Sequence, residues 1–137
     1  MFIKGNLYCR RDLHALHALY GGQQQSGIST PSAHPFIFLF TSPRSEEYGY
    51  IDGWQKDGVT FLYTGERQRG DMTFTRGNRA IRDHVADGKA LHLFEKADMG
   101  YVRYVNQMIC RGYRILQGRD VDGQQRAVIV FILNAIE

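Results

Sequence analysis

YTGERQRGDMTFTRGNRAIRDH, residues Tyr63 to His84, sets the reading of the whole chain. Arginines sit among glycines, and the stretch closes on a helix start. A guanidinium presents a planar fork of donors that matches phosphate, and glycine lets a backbone approach closely. The stretch therefore reads as a ligand cradle or as a tight strand-to-helix connection. Asn78 is placed to cap the helix that follows.

The flanking sequence favours the connection. PFIFLFT, with Phe36 to Thr41 as its apolar run, is a buried strand between Pro35 and Pro43. Tyr48 to Ile51 and Thr60 to Tyr63 read as two strands joined through DGWQKDG, a hairpin with a longer loop. Residues 77 to 87 read as a helix ended by Gly88. Ala90 to Glu95 alternates like a half-buried strand. Tyr101 to Ile109, Tyr113 to Leu116 and Ala127 to Leu133 are further strands, with Asp122-Gly123 as a turn. Upstream, residues 7 to 20 read as a helix stopped by Gly21-Gly22, followed by a polar loop up to Pro35. Tyr63, Phe61, Phe36, Phe38, Phe40, Leu91, Leu93 and Phe94 are the expected core. Many short strands with about two flanking helices predict an α+β domain around a strongly curved mixed β-sheet or small barrel. Residues 1–137 are expected to form one such domain.

Composition narrows the function. Of 17 basic residues 13 are arginine, although net charge is only +3. Arginine suits phosphate and the guanine edge, but a GC-rich genome enriches it as well. No apolar run reaches the roughly 20 residues of a membrane span. The N-terminal residues lack the pattern of a signal peptide. Cys9 and Cys110 stand in no metal or redox spacing and read as reduced thiols, so a cytoplasmic setting is expected. No catalytic motif stands out among His14, His17, His34, His84 and His92. His14 and His17 share a helical face, but no third metal ligand is evident. Asp52, Asp57, Glu66 and Asp71 are either structural ion-pair partners or a carboxylate cluster. A non-catalytic chain without cofactor, metal or small-molecule substrate is the expectation.

Tyr63-Thr64-Gly65, Gly70-Asp71-Met72 and Gly77-Asn78-Arg79-Ala80-Ile81 resemble the SRA-like modules of the PUA superfamily. RRDLHALHALYGGQQQSGISTP, PFIFLFT, YGYIDGW, YTGERQRGDM, RGNRAI and LHLFE, together spanning roughly residues 8 to 96, are similar to the sulfur-binding domains of McrA-type HNH endonucleases. The resemblance implies a PUA/SRA-like reader of double-stranded modified DNA, preferably phosphorothioate. It implies modification-dependent restriction with a nuclease domain in the same or another chain, since no HNH motif is present here.

Sulfur is softer and a poorer acceptor than oxygen, so a phosphorothioate favours a shallow apolar cup with polar holds around it. Tyr20, Pro31 and Ala33 are candidates for the apolar wall. Ser29, Thr30 and the backbone around Gly21-Gly22 are candidates for the polar holds, and Gln23, Gln24 and Gln25 for base edges. The same residues also suit an ordinary surface loop. Arg10 and Arg11, joined by His14 one turn on, read as phosphate contacts or as solvated charge. Trp54, Gln55 and Lys56 at the hairpin tip read as a stacking wedge or as a tryptophan folded back on the barrel. Arg67, Gln68 and Arg69 read as groove contacts or as partners of Glu66 and Asp71. Two other functions stay open, besides a small enzyme using the carboxylates near Glu66 and Asp71. One is a 5-methylcytosine reader that flips the base among Tyr50, Asp52, Tyr63 and Thr64. The other is a PUA-like RNA-binding domain.

Overall fold

The computed structural model describes residues 2–16, 27–30, 35–42, 52–67 and 69–136. The expected strand over residues 48–51, the helix stop at Gly21-Gly22 and most of the polar loop lie outside them.

Two fully buried faces of one short strand organise the domain. That strand is β3 (Phe36–Thr41), where every residue is buried. It follows β1 (Leu7–Cys9), α1 (Arg10–Leu16) and β2 (Ile28–Ser29). After it come β4 (Gly53–Trp54), β5 (Thr60–Thr64), α2 (Arg76–Arg82), β6 (Ala90–Lys96), β7 (Tyr101–Arg119) and β8 (Gln125–Ala135). One sheet runs β2-β3-β6-β7-β8-β5-β4, with β1 added against β7. Among the described residues only β3 and β6 pair in parallel, with Phe38 opposite His92 and Phe40 opposite Phe94. Strands covered on both sides read as apolar runs, which is the physical content of FIFLFT.

Side chains on alternate residues separate two cores. Ile37 and Leu39 join Tyr63, Ile81, Leu91, Leu93, Met108, Phe131 and Leu133 in the hollow of the curved sheet. Phe36, Phe38 and Phe40 face outward, where Leu13 of α1 packs on them beside Phe94 and Tyr104. Each fully buried large apolar side chain contributes about 1.5–3 kcal/mol. The eight residues expected in the core are all buried. Among the described residues the sheet does not close by a ladder. Its curl is held by the Tyr63 hydroxyl, which donates toward Gly27 O at 2.8 Å and Phe40 O at 3.0 Å.

Several expected elements are corrected. Leu7–Cys9 is a strand, not helix, because it pairs with Tyr101–Arg103. The second helix is Arg76–Arg82, and turns carry the chain from there to Gly88. Ala90–Lys96 is buried on both faces through Leu91, His92, Leu93 and Phe94 rather than alternating. The two strands expected between Tyr101 and Leu116 are one, with a bulge between Cys110 and Gly112. The polar loop before Pro35 is not structureless, since Ile28 and Ser29 pair with Leu39 and Phe38.

His84 ties α2 to β7. Its Nε2 accepts from the Cys110 N–H at 3.0 Å, so the ring proton sits on Nδ1 and is donated to Lys89 O at 2.7 Å. Burial lowers its pKa, and the bond to Lys89 only partly counters this. Above the ordinary value of about 6.5 the ring is neutral in both folded and unfolded states, and its stabilisation is complete. As pH falls through that value the unfolded ring protonates first, so stability drops until the lowered folded pKa is passed. Denaturant midpoints from pH 7.5 to 5 are expected to show this loss, and His84→Gln is expected to flatten it. An unchanged slope in the variant would refute the assignment.

Candidate nucleic-acid interface

Two constellations lie at the end of the sheet where β3 and β5 finish. The first is built on Asp52. Its Oδ1 accepts the Thr64 N–H at 2.8 Å and its Oδ2 accepts the Thr41 hydroxyl at 2.9 Å. The carboxylate thus bridges the ends of β5 and β3. Burial raises its pKa, and the hydrogen bonds from Thr64 and Thr41 offset part of the rise. Tyr63 beside it is 3% exposed, and burial pushes its phenol well above the ordinary range. Arg10 lies close by, its guanidinium carbon 3.8 Å from the Phe40 ring centroid. It is half-buried, and desolvation lowers its pKa.

A folded acid with a raised pKa loses stability as pH rises from about 3.9 through the raised value. Asp52→Asn keeps an acceptor for Thr64 and turns an amide donor toward Thr41, without a buried charge. It is expected to melt at or above the wild-type temperature at pH 7. Asp52→Ala orphans the Thr64 N–H and is expected to lose about 1–3 kcal/mol. Thermal melts of the pair decide the point; equal losses in both would refute it.

The second constellation is the turn from Gly65 to Met72. Asn78, 1% exposed, locks its first half. Asn78 Oδ1 accepts the Glu66 N–H at 2.8 Å, while Nδ2 donates to Glu66 O and Thr73 O, both at 3.0 Å. Asn78 is therefore not the helix cap. Thr75 stands at that position, with extended backbone and no side-chain capping bond. Arg126 locks the second half. Only 4% exposed, its Nη1 donates to Arg67 O at 2.5 Å and toward Gly70 O at 3.4 Å. Asp120 Oδ2 accepts the Gly70 N–H at 3.1 Å. The turn is thus held from both sides while the side chains of Arg67 and Arg69 stay exposed.

The sequence-derived candidates divide accordingly. Arg67 Nε folds onto Arg69 O at 2.7 Å, and Arg69 Nε pairs with Asp122 at 2.8 Å. Neither Glu66 nor Asp71 is that ion-pair partner. Asp71 accepts the Ala127 N–H instead, and the Glu66 carboxylate lies against Gly77. Arg11 is exposed at the start of α1, whereas Arg10 turns onto Phe40 rather than remaining a solvated charge. Ser29 is 1% exposed within β2, so it is not a residue of an open loop, and Thr30 after it is exposed. Trp54 is 43% exposed yet packs edge-on against Phe61 at 5.3 Å, while Gln55 and Lys56 are exposed. Tyr20, Gly21, Gly22, Gln23, Gln24, Gln25, Pro31, Ala33, Gln68 and Tyr50 lie outside the described residues, as does the His14 side chain. Among the described residues no group of three metal-ligating side chains converges, and no helix is long and apolar enough to cross a membrane.

Arg126 and Asp120 carry no signal of their own as single residues; only the D-x-D-G turn at 120–123 marks their neighbourhood. Arg76 also escapes sequence reasoning. Its φ of 48° is left-handed, which costs a residue with a side chain about 1–2 kcal/mol, and such strain concentrates at functional sites.

Comparison with known proteins bears on the family and the fold. A family model described as "ScoMcrA-like, SRA domain" matches residues 4–137. The fold superposes on the structure of the sulfur-binding and SRA domains of ScoMcrA complexed with phosphorothioated DNA, with a TM-score of 0.73 and 25% identity. That alignment covers 98% of this chain and 40% of the other. The type IV phosphorothioation-dependent restriction endonuclease ScoMcrA matches with the same score and identity, and the chain spans 28% of its length. The SUVH5 SRA domain in complex with hemi-methylated CG DNA shares the fold at a TM-score of 0.67 and 20% identity, over 98% of this chain and 89% of that one. No curated protein sequence gives a match.

Proposed function

This chain belongs to the ScoMcrA-like SRA domain family, and from that premise we propose that it is a non-catalytic reader of modified double-stranded DNA. The preferred mark is a phosphorothioate in the backbone, and the setting is modification-dependent restriction. Residues 1–137 act as one recognition domain. Cleavage belongs to a nuclease domain in the same or another chain. The observation that carries the reading is the family match from residue 4 to residue 137, beyond the blocks at 8 to 96 that first suggest it.

The geometry supplies a physical basis. The Gly65–Met72 turn is held by two buried polar side chains, Asn78 and Arg126, so Arg67 and Arg69 are presented on a fixed backbone. Preorganised cations bind phosphate with less ordering cost than free ones. Arg11 is a further phosphate contact in this reading, and Tyr20, Pro31 and Ala33, which lie outside the described residues, are its candidates for the apolar cup. A second reading, base flipping of 5-methylcytosine, draws on the Asp52–Thr64–Thr41 bridge. Against it, the Tyr63 ring is packed in the core and its hydroxyl is engaged.

The test is an anisotropy titration with matched duplexes that are unmodified, 5-methylated, or phosphorothioated in one stereoisomer at a time. Tightest binding to one phosphorothioate stereoisomer is the expected result. Preference for the methylated duplex transfers the assignment to the second reading, and equal affinity for all refutes both.

A further inference from the structure

From Met99 to Arg119 the sequence holds Arg103, Arg111, Arg114 and Arg119 and no acidic residue. Arg103 pairs with Glu95, and Arg126 of β8 is buried in the turn lock, so Arg111, Arg114 and Arg119 carry the exposed charge, and β8 adds no acid. Acids return only in the connecting turn, where they are engaged. Asp120 Oδ1 accepts the N–H groups of Asp122 and Gln124 at 2.9 and 3.0 Å, and Asp122 holds Arg69.

Position matters as much as charge. β6 pairs with β7 only as far as Met108. Beyond the bulge at Gly112, the outer edge of β7 has no ladder partner among the described residues, and Tyr113 through Gln117 are exposed. The opposite side of this arm is covered, because the Met72 N–H donates to Ala127 O at 2.9 Å. The arm therefore continues the Arg67–Arg69 turn on one side and is open on the other. Arg111 leans on Asn134, and Arg119 on Gly123 of its own turn. The Arg114 side chain has no hydrogen bond or ion pair with any described residue.

An unpaired edge invites strand addition, and charge is the usual guard against it. Like charges at close spacing also make a second copy of the same edge a poor partner. The surface they suit is one of repeated negative charge, and B-DNA carries one per about 1.7 Å of axis. We infer that the β7–β8 arm is a second nucleic-acid contact, a basic β-ribbon whose open edge runs along the duplex that flanks the modified step, with Arg114 and Arg119, on opposite faces of the strand, reaching phosphates on either side of that edge. The inference rests on the DNA-binding reading above. It adds a hold that carries affinity without sensing the modification.

The test compares wild type with R114Q/R119Q on a long phosphorothioated duplex and its unmodified counterpart, at several salt concentrations. Each phosphate that is no longer neutralised lowers the salt slope by about one, so the double variant is expected to lose about two and to bind roughly tenfold or more weakly at 0.1 M salt. Both duplexes are affected equally, so the preference ratio is unchanged. R114K/R119K restores most of the slope. Single R114Q, which removes an exposed side chain without a hydrogen bond or ion pair to any described residue, gives about half the effect and guards against misfolding of the double variant. Unchanged affinity and slope in folded variants overturn the inference, as does a changed preference ratio. A shift in sedimentation without a change in DNA affinity also overturns it, assigning the edge to a protein. If wild type shows no preference but the slope still falls, the arm stands and the modification reading fails. If wild type binds no duplex, both fail.

Discussion

Asn78→Ala is expected to lower the free energy of unfolding by about 3 kcal/mol and the melting temperature by roughly 10 °C. The side chain is buried and satisfies three backbone groups of other segments: the Glu66 N–H, the Glu66 carbonyl and the Thr73 carbonyl. Truncation leaves them without that partner, and each unsatisfied group costs about 1–3 kcal/mol before water and relaxation recover part of it. Asn78→Asp separates this from simple loss of volume. Its carboxylate still accepts the Glu66 N–H but sets an acceptor against two carbonyls, so it is expected to be no better than alanine. The same variants release the first half of the Gly65–Met72 turn, and DNA affinity is expected to fall with stability. A loss under about 1 kcal/mol for Asn78→Ala in a denaturant titration would remove the turn lock from the account of this fold.

Gly77→Ala is the second large effect. A methyl group on Gly77 meets Glu66 Oε1 at 2.6 Å and Ile28 Cβ at 2.9 Å. A carboxylate can swing away, but Ile28 is fixed in β2 and 4% exposed. Overpacking against such a neighbour costs about 1–3 kcal/mol, even though alanine is the better helix former. Displacing Glu66 also pushes on the turn whose first peptide Asn78 holds. Gly65→Ala attacks that junction from the other side, since its Cβ lies 2.7 Å from Asn78 Oδ1. Thermal melts of the two alanine variants and their combination test this. Near-additive losses would mean two independent packing faults, whereas a combined loss well below the sum marks one shared junction.

These residues also mark where sequence ceases to determine structure. FIFLFT is legible because an apolar run between prolines has few alternatives. Tyr63 and the aromatic positions of β3 and β6 follow from it. Asn78 misleads because Thr75 and Asn78 both suit a helix start; what decides between them is the demand of the Glu66 peptide for a partner, a tertiary fact. Leu7–Cys9 has no strand signature, since three residues set no period, and its conformation comes from a partner more than 90 residues away. Gly112 looks like a break and is a bulge that lets one strand continue. In the interface, the exposure of Arg67 and Arg69 follows from glycines on either side. Arg126 is invisible in the sequence, because a buried guanidinium is intelligible only once the carbonyls of Arg67 and Gly70 are known to face it.

Among the described residues the curled sheet is joined at its two ends by side chains alone, Tyr63 to the backbone of Gly27 and Phe40, and Asp52 to Thr41. A ladder would fix that gap at one strand spacing, whatever the residues on it. A seam of side chains has no such fixed width. A substitution at Tyr63 or Asp52 is expected to resize the mouth between β3 and β5 without removing a backbone bond of the β3–β6 or β5–β8 ladder. The width of that mouth can thus change through substitutions at the seam instead of changes of fold.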